Sequence, residues 1–326
     1  MINSLFIKRL FLTVAMIYVN VFAAKSTSPV FFLKASGGVY DFVIENNFIY
    51  AATDAGVLDI FNFKTKKKIK EILIPNIKDF NGDLKPAKLF SADKLYGIDG
   101  LLIVSQGSNG FRNVWLFKDN KLKEILSSEK DKLFIKRAAF IDENLIMLGL
   151  LSNELILYDI RNKKQIFRKQ LSTSVFSDFT TDYTRKITVT CEESGKIRAL
   201  NSHTGQIMNI FSGMNLDNVF KVVYTDLTFI TAGQDRRVGV YKWGKEHYYL
   251  NSDFIVYCVG INKTGKLGAY SADENNDVYI FDTDTRQVLY KLTGQKSTQT
   301  KIAFISDDEV VCSSEDEYIM FWKFKK

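Results

Sequence analysis

Short runs of alternating apolar and polar residues, separated by glycine, asparagine, aspartate and serine, extend along most of the chain. Alternation with a period of two is typical of half-buried strands, and the small polar residues between the runs are typical of tight turns. Residues 254–260, 267–271, 278–281 and 288–292 are four such runs in succession. They predict an antiparallel meander of four strands.

The third run of each meander ends in an aromatic residue or leucine, followed by a polar residue, and this ending recurs seven times. The intervals between these positions are 56, 41, 42, 41, 40 and 41 residues. A period of 40–45 residues is that of a four-stranded propeller blade. The repeat therefore predicts seven blades with one insertion between the first and the second. The repeated positions are Phe61, Phe117, Tyr158, Leu200, Tyr241, Phe281 and Trp322.

The repeat resembles that of the WD40 family over residues 30–324. Tyr158-Asp159 and Phe281-Asp282 stand where that family has Trp-Asp, whereas the Gly-His pair that usually opens its repeats is missing. The resemblance implies an all-β, seven-bladed β-propeller of four-stranded antiparallel blades that binds partner proteins. The missing pair argues against the family's usual Asp-His-Ser hydrogen-bond network within the blades.

The seventh unit, residues 300–324, contains only three strands before the chain ends. Its last strand would leave unpaired backbone N–H and C=O groups at a sheet edge. Residues 29–33 form an extended apolar run ahead of the first blade. We expect this run to supply the missing fourth strand, pairing beside residues 319–322 and closing the ring.

The N-terminus has the pattern of a cleavable signal peptide. Lys8 and Arg9 precede an apolar stretch at residues 10–22, and Val21 and Ala23 offer small residues at the −3 and −1 positions of a cleavage site. The alternative is an uncleaved anchor, although 13 residues are short for a membrane span. We predict a signal peptide at residues 1–23, a single propeller domain at residues 24–326 and a periplasmic location.

Charge and cysteine content narrow the class of partner. The chain has 44 Lys and Arg against 37 Asp and Glu, a net charge of +7, which favours an acidic partner or an anionic surface. Cys191, Cys258 and Cys312 lie within apolar runs without CxxC spacing or a nearby histidine. We predict buried thiols that act as small hydrophobic residues rather than metal or redox sites.

Signals for catalysis are weak. His203 and His247 are the only histidines, each in a predicted turn, and the chain has no GxSxG elbow and no phosphate-binding loop. The Thr204-Gly205 turn is similar to turns of quinone-cofactor propellers but lacks their recurrent tryptophans. We predict no enzymatic activity, no cofactor and no metal.

Two insertions and two sets of charges point to the partner-binding surface. The insertions are residues 75–92 and 107–113, on the face that also carries the turns between second and third strands. Long loops in a tight repeat are often functional, although a tolerated insertion is the alternative. Those turns are rich in acids, whereas the turns between third and fourth strands are rich in lysine, which predicts faces of opposite sign. The candidate partner-binding residues are Phe80, Phe111, Arg112, Lys66, Lys67 and Lys68.

These features favour a monomeric, non-catalytic scaffold that binds other periplasmic proteins and no nucleic acid. The layout is similar to the accessory propellers encoded with periplasmic nitrate reductases, the L component of the Nap system. That resemblance implies a role in maturing or positioning the reductase. Two alternatives remain, an envelope or outer-membrane assembly factor and a propeller hydrolase such as a lactonase. The hydrolase would need a central cluster of metal ligands, which the sequence does not supply.

Overall fold

The computed structural model describes residues 24–225 and 228–324. The predicted signal peptide, residues 1–23, lies outside the described residues. Almost every regular element is a β-strand. Most of the strands form seven antiparallel units of four strands each, and these units are arranged as blades around a central axis. The fold is a seven-bladed β-propeller, as the repeat predicts.

In each blade the four strands are hydrogen-bonded in order from the axis outward. The strands of the first three blades are as follows. Blade 1 contains Val39–Glu45, Phe48–Thr53, Val57–Asn62 and Lys67–Leu73; blade 2 contains Leu89–Lys94, Leu101–Gln106, Arg112–Lys118 and Lys121–Leu126; blade 3 contains Ile135–Phe140, Leu145–Leu150, Glu154–Asp159 and Lys164–Gln170.

The remaining four blades repeat the same order. Blade 4 contains Phe176–Thr181, Ile187–Glu192, Ile197–Asn201 and Ile207–Phe211; blade 5 contains Val219–Thr225, Thr228–Gly233, Arg237–Lys242 and Tyr248–Asn251; blade 6 contains Val259–Ile261, Leu267–Ser271, Val278–Asp282 and Val288–Leu292; blade 7 contains Gln299–Phe304, Glu309–Ser314, Tyr318–Lys323 and Phe31–Lys34.

Burial follows the position of each strand in its blade. The third strand of blade 1, Val57–Asn62, is buried on both faces because a neighbouring blade covers each face. The fourth strand, Lys67–Leu73, is mostly exposed and carries lysines. The apolar residues form seven cores, one in each interface between neighbouring blades. Stability therefore depends on each blade having two neighbours.

The repeated third-strand positions lie in these interfaces, as predicted. Five of the seven are buried, whereas Phe117 and Tyr158 are half-buried. Phe117 lies at the outer side of its interface, where the Nζ atom of Lys70 lies 4.6 Å from its ring centroid. In four blades a β-bulge between the third and fourth strands begins at the repeated residue, namely at Phe61, Tyr158, Leu200 and Phe281.

The ring closes through the N-terminal segment, which confirms that prediction. Phe31 pairs with Phe321 and Leu33 pairs with Ile319, in an antiparallel register that continues to Lys34. Leu33 is buried, and the rings of Phe31 and Phe321 stack with centroids 4.2 Å apart. A second N-terminal strand, Lys25–Thr27, pairs in parallel with Val288–Leu292 at the outer edge of blade 6. The sequence pattern did not predict this fifth strand.

The predicted boundaries are wrong in two places. The first strand of blade 6 spans only Val259–Ile261, because the Ser271 hydroxyl accepts the N–H groups of Tyr257 and Cys258, which are then lost to the strand ladder. The insertion ends before Leu89, where the inner strand of blade 2 begins. It contains a small hairpin of its own, Ile77–Lys78 paired with Leu84–Lys85.

Local polar contacts take the place of the WD40 network. Asn215, in the connection to blade 5, accepts the Thr231 hydroxyl at 2.6 Å and donates to Asp235 at 3.1 Å. In blade 7, Gln295 donates to the Ser314 hydroxyl. The contacts with Thr231 and Ser314 each tie an interblade connection to the second strand of the blade that follows, and the contact with Asp235 ties it to the turn after that strand. Within the described part of the chain, no helix is long and apolar enough to cross a membrane.

Candidate functional site

Antiparallel blades give the propeller two different faces. We define the upper face as the one carrying the connections between blades and the turns between second and third strands. The lower face carries the turns between first and second strands and between third and fourth strands. The inner strands of all seven neighbouring pairs of blades contact each other around the axis and line a central channel. Both insertions predicted from the sequence lie on the upper face.

The hairpin insertion projects beside blade 2 and forms one wall of a cleft. Its Ile77 and Leu84 face Trp115 and Ser108 across a space of about 470 Å³. Phe80, near the hairpin turn, is fully exposed to solvent. The two insertions therefore adjoin, since residues of both line the same cleft.

The second insertion brings two candidate residues close to the channel. The Phe111 ring packs against the ring of Phe134 at the start of blade 3, with centroids 4.5 Å apart. The Arg112 guanidinium lies 4.1 Å from the ring centroid of Phe90, on the inner strand of blade 2. Burial lowers the pKa of Arg112. Phe111 and Arg112 thus connect the insertion to the upper mouth of the channel.

A recurrent β-bulge shapes that upper mouth. In six inner strands the register with the second strand slips by one residue near the upper end, and in blade 6 the Ser271 contacts occupy the same place. A bulge re-aims the side chain of the extra residue. The extra residue is at least partly exposed in each blade. In order around the ring, these residues are Tyr40, Phe90, Lys136, Ser177, Phe220, Tyr257 and Thr300.

Four of the seven bulge residues are aromatic and meet in pairs across blade interfaces. Tyr40 and Phe90 meet edge to face with centroids 6.2 Å apart. Phe220 and Tyr257 stack at 5.7 Å on the other side of the mouth. Half-exposed aromatic rings are typical of protein-binding surfaces, because they offer a large contact area at low entropic cost. We call these four residues the aromatic collar.

One residue below each bulge, every inner strand carries a charged or small residue, and we call these seven residues the belt. It consists of Asp41, Ser91, Arg137, Asp178, Lys221, Cys258 and Lys301. Two ion pairs join neighbouring blades in this belt: Lys301 with Asp41 at 2.7 Å, and Arg137 with Asp178 at 3.2 Å.

The paired carboxylates and cations of the belt stabilise each other's charged forms. Burial would raise the pKa of Asp41, but Lys301, Arg137 and Lys221 outweigh burial and lower it. Asp41 also accepts the backbone N–H groups of Phe42 and Ala92. Burial would lower the pKa of Arg137, but Asp178 and Asp41 raise it. These groups therefore remain charged at neutral pH.

Three cations at the upper mouth have no carboxylate partner among the described residues: Arg112, Lys136 and Lys221. Burial lowers the pKa of Lys136, and the positive charges of Lys221 and Arg112 lower it further against the opposing effect of the Asp178 carboxylate. The acids of the upper face lie further from the axis, and several are neutralised within their own blades, such as Glu154 by Arg168. The mouth is thus a cationic centre.

At the lower end of the channel, by contrast, the cations pair with carboxylates of other blades. A cavity of about 490 Å³ opens there, lined by the last residues of the inner strands of blades 1–5. Arg185 reaches from blade 4 to blade 2 and donates to both carboxylate oxygens of Asp93 at 3.1 Å. It also donates to the carbonyl oxygens of Phe140 and Lys94. Lys94 in turn pairs with Glu45 at 3.2 Å.

The three candidate lysines lie on the lower side of blade 1. Lys66 lies over the Phe31 ring at 4.6 Å, and Lys67 is exposed. Lys68 pairs with Asp59 and Glu71, each at 2.8 Å, so its charge is compensated within the protein. The lower face also carries acids in the turns between first and second strands, including Asp142 and Glu143. The three candidate lysines therefore lie on blade 1 alone, and the lower face as a whole carries charges of both signs.

The residues considered for catalysis are separated or buried. His203 is exposed, whereas His247 packs against Phe211 and Tyr241, and burial lowers its pKa. All three cysteines are buried and free, which confirms their predicted packing role. Among residues 24–225 and 228–324, no group of three His, Cys, Asp or Glu side chains is placed to hold a metal ion.

Sequence reasoning selected Phe111 and Arg112 but missed the collar and the belt. The signal was present: an aromatic residue recurs at the second position of the inner strand in blades 1, 2 and 5, and Tyr257 occupies the equivalent place just before the short inner strand of blade 6. Alternation alone assigns such residues to a blade face. Only the bulge, which is a property of strand pairing, turns them towards the mouth.

Comparison with known proteins supports the fold and leaves the family open. No protein-family model matches the chain, and no curated protein matches it. Many solved structures are similar. One is the β-propeller domain of Cps50 (Swd1) from Myceliophteria thermophila, with a TM-score of 0.72 over 91% of this chain and 99% of that one, at 14% sequence identity. At this identity the likeness shows a shared propeller fold alone.

Proposed function

We propose that this protein is a non-catalytic scaffold that binds a partner protein on its upper face. The observation that carries the proposal is a continuous exposed surface from the insertions to the channel. It begins with Phe134 and Phe111, passes through Arg112 and Phe90, and reaches Tyr40. The hairpin cleft adjoins this surface through Ser108 and Asn113. Rigid aromatic and arginine side chains are the residue types that dominate binding energy in protein interfaces.

The test is a pull-down that compares the two faces. The affinity-tagged mature protein is incubated with a periplasmic extract, beside a variant in which residues 76–86 are replaced by a short Gly-Ser linker and Phe111 and Arg112 are changed to serine. The matched control carries Tyr96→Ser and Tyr183→Ser, because both tyrosines are exposed on the lower face. We expect the upper-face variant to lose the partner and the control to retain it. Full recovery by the upper-face variant would refute the proposal.

We further propose that the protein is exported and that its partner belongs to a periplasmic nitrate reductase system. The leader pattern of residues 1–23 and the layout of a single propeller with degenerate repeats support this assignment. Mass spectrometry of the purified protein should give a chain beginning at Ala24, and the pull-down should enrich the reductase subunits. A retained leader, or a partner set without any reductase component, would contradict it.

A further inference from the structure

The channel belt contains more positive charge than its own acids neutralise. Asp41 forms an ion pair with Lys301, and Asp178 forms one with Arg137, while Lys221 acts on Asp41 only from a longer distance. Lys221, in the same belt, forms no ion pair or hydrogen bond with any described residue. Lysine has three N–H donors and no acceptor, so only an anion or another acceptor can satisfy it. The belt therefore has an uncompensated positive charge at blade 5.

A second cation at the upper mouth has no acid partner. Lys136, at the bulge of blade 3 and one residue above the belt, is exposed and forms no ion pair or hydrogen bond with any described residue. Burial lowers the pKa of Lys136, the positive charge of Lys221 lowers it further, and the Asp178 carboxylate opposes both. Lys136 and Lys221 therefore share a need for an anionic acceptor.

The surroundings indicate which kind of acceptor can enter. The aromatic collar stands above the belt, and Arg112 stacks on its Phe90. At the opposite end, Arg185 and Asp93 form an ion pair with each other. An anion entering from the upper face therefore passes the apolar rings and Lys136, which lie at the same level, before it meets Lys221 in the belt. A carboxylate side chain of a peptide, next to a large apolar side chain, matches both the lysines and the rings.

We propose that the channel mouth is an acceptor site for an aspartate or glutamate side chain of the partner, flanked by aromatic or aliphatic residues that pack on the collar. Lys221 and Lys136 supply the positive charge that pairs with the carboxylate. This inference deepens the proposed function by naming the partner's chemistry, and it rests on the upper face being the binding surface.

The experiment uses two blocked tetrapeptides, one with two glutamates between phenylalanines and one with two glutamines in their place. Binding to the mature protein is measured by titration calorimetry at low and at high salt. We expect the glutamate peptide to bind at least ten times more tightly than the glutamine peptide, and its advantage to shrink with salt. Equal binding of the two peptides would overturn the proposal.

The protein arm combines Lys136→Gln with Lys221→Gln and uses Lys67→Gln as the control, since Lys67 is exposed on the lower side of blade 1. The double variant should lose at least tenfold in affinity for the glutamate peptide, and the control should lose none. Unchanged binding by the double variant would refute the inference. If the double variant does not fold, Lys136→Gln alone, at an exposed position, is scored by the same criterion.

Sodium acetate separates a peptide site from a small-anion site. We expect acetate at the peptide's concentration to leave peptide binding unchanged, because acetate lacks the groups that pack on the collar. Full displacement by acetate would overturn the peptide assignment. The scaffold proposal is judged separately: if the upper-face variant loses its partner in the pull-down but both lysine variants bind the glutamate peptide normally, only the carboxylate inference fails.

Discussion

The two mouths of the channel are built from the same seven inner strands and yet differ in how their charges are satisfied. At the lower mouth, Arg185 and Asp93 form a bidentate pair across blade 3, and Lys94 pairs with Glu45. At the upper mouth, Lys136 and Lys221 have no acid partner among the described residues. Charges that are satisfied internally stabilise the fold, whereas unsatisfied charges are available to a ligand. Under the proposed function, the lower mouth is the structural end of the channel and the upper mouth is the binding end.

Exposed aromatic residues make the same distinction. At the lower mouth, Tyr96 and Tyr183 extend individually into solvent. At the upper mouth, the collar residues are half-buried and pack in pairs, so they are already held in fixed positions. Rigid side chains lose less entropy when a partner binds. The upper collar is therefore the better preorganised surface, although the lower cavity is of comparable size to the upper cleft.

The largest predicted effect, which would disrupt both mouths of the channel, comes from opening the ring. Deleting residues 29–34 removes the strand that pairs with Tyr318–Lys323 and exposes the core around Leu33. We expect the melting temperature to fall by about 10 °C or more, from lost apolar burial and lost ladder hydrogen bonds. Deleting residues 24–28 removes only the added edge strand and is the control. Equal losses from both deletions, measured by calorimetry, would contradict closure by Phe31–Lys34.

The next largest effect should come from the lower mouth. Arg185→Gln leaves the Asp93 carboxylate without its bidentate partner in a mostly buried position. We expect a loss of about 3 kcal/mol in the free energy of unfolding, measured by urea titration. Arg161→Gln, at an exposed turn, should change it by less than about 0.5 kcal/mol. Similar losses for the two variants would mean that the Arg185 bridge is not structural.

A third prediction compares paired and unpaired cations within the belt. Lys301→Gln leaves Asp41 buried without its closest cation, so we expect a loss of about 2 kcal/mol. Lys221→Gln removes an unpaired charge and relieves its repulsion with Lys136, so stability should stay unchanged or rise slightly. Urea titration of both variants checks the order. A larger loss for Lys221→Gln than for Lys301→Gln would show that Lys221 has a structural role.

A smaller effect concerns the pH dependence of the stability that the Lys301–Asp41 ion pair contributes. Because the folded-state pKa of Asp41 lies below its ordinary value of 3.8, its contribution to stability is present above that value and is lost as pH falls through the folded pKa. The cost of Lys301→Gln should therefore shrink between pH 5 and pH 3, as protonation removes the unpaired charge of Asp41. A cost independent of pH would argue against this ion pair.

The smallest predicted effect concerns Cys258 in the belt. Burial raises the pKa of its thiol to about 11, with the positive charge of Lys221 opposing. At pH 8 only about one thiol in a thousand is then ionised. Iodoacetamide should modify the native protein far more slowly than the urea-unfolded protein, as followed by mass spectrometry. Rapid native alkylation at Cys258 would indicate a wetter channel than the belt implies.

The repeat alone was enough to predict the blades and their closure. The spacing near 41 residues identifies seven blades because each four-stranded unit needs a similar length of chain, and the three-stranded last unit predicts the pairing of Phe31–Lys34. Buried third strands such as Val57–Asn62 follow directly from their apolar runs. These are local properties, and each is encoded within one or two neighbouring repeats.

The candidate site was predicted only in part. Phe111 and Arg112 came from an insertion visible as a departure from the repeat, whereas the collar and Lys221 look like ordinary strand residues in the sequence. The parallel strand Lys25–Thr27 was likewise missed, because its partner Val288–Leu292 lies more than 260 residues away. Lys66, Lys67 and Lys68 were predicted as partner-binding residues because they form a run of three lysines, yet the charge of Lys68 is neutralised by two acids.

The amino-acid sequence by itself determined the number of blades, the residues between them and the strand that closes the ring, because periodicity and local burial encode all three. Only the tertiary structure decided which charges meet. Asp93 finds Arg185 across 92 positions of the chain, while Lys221 finds no acid. Ion pairing depends on which blades lie next to each other and on where a bulge turns a side chain. Those relations come into being only when seven separate repeats close around one axis.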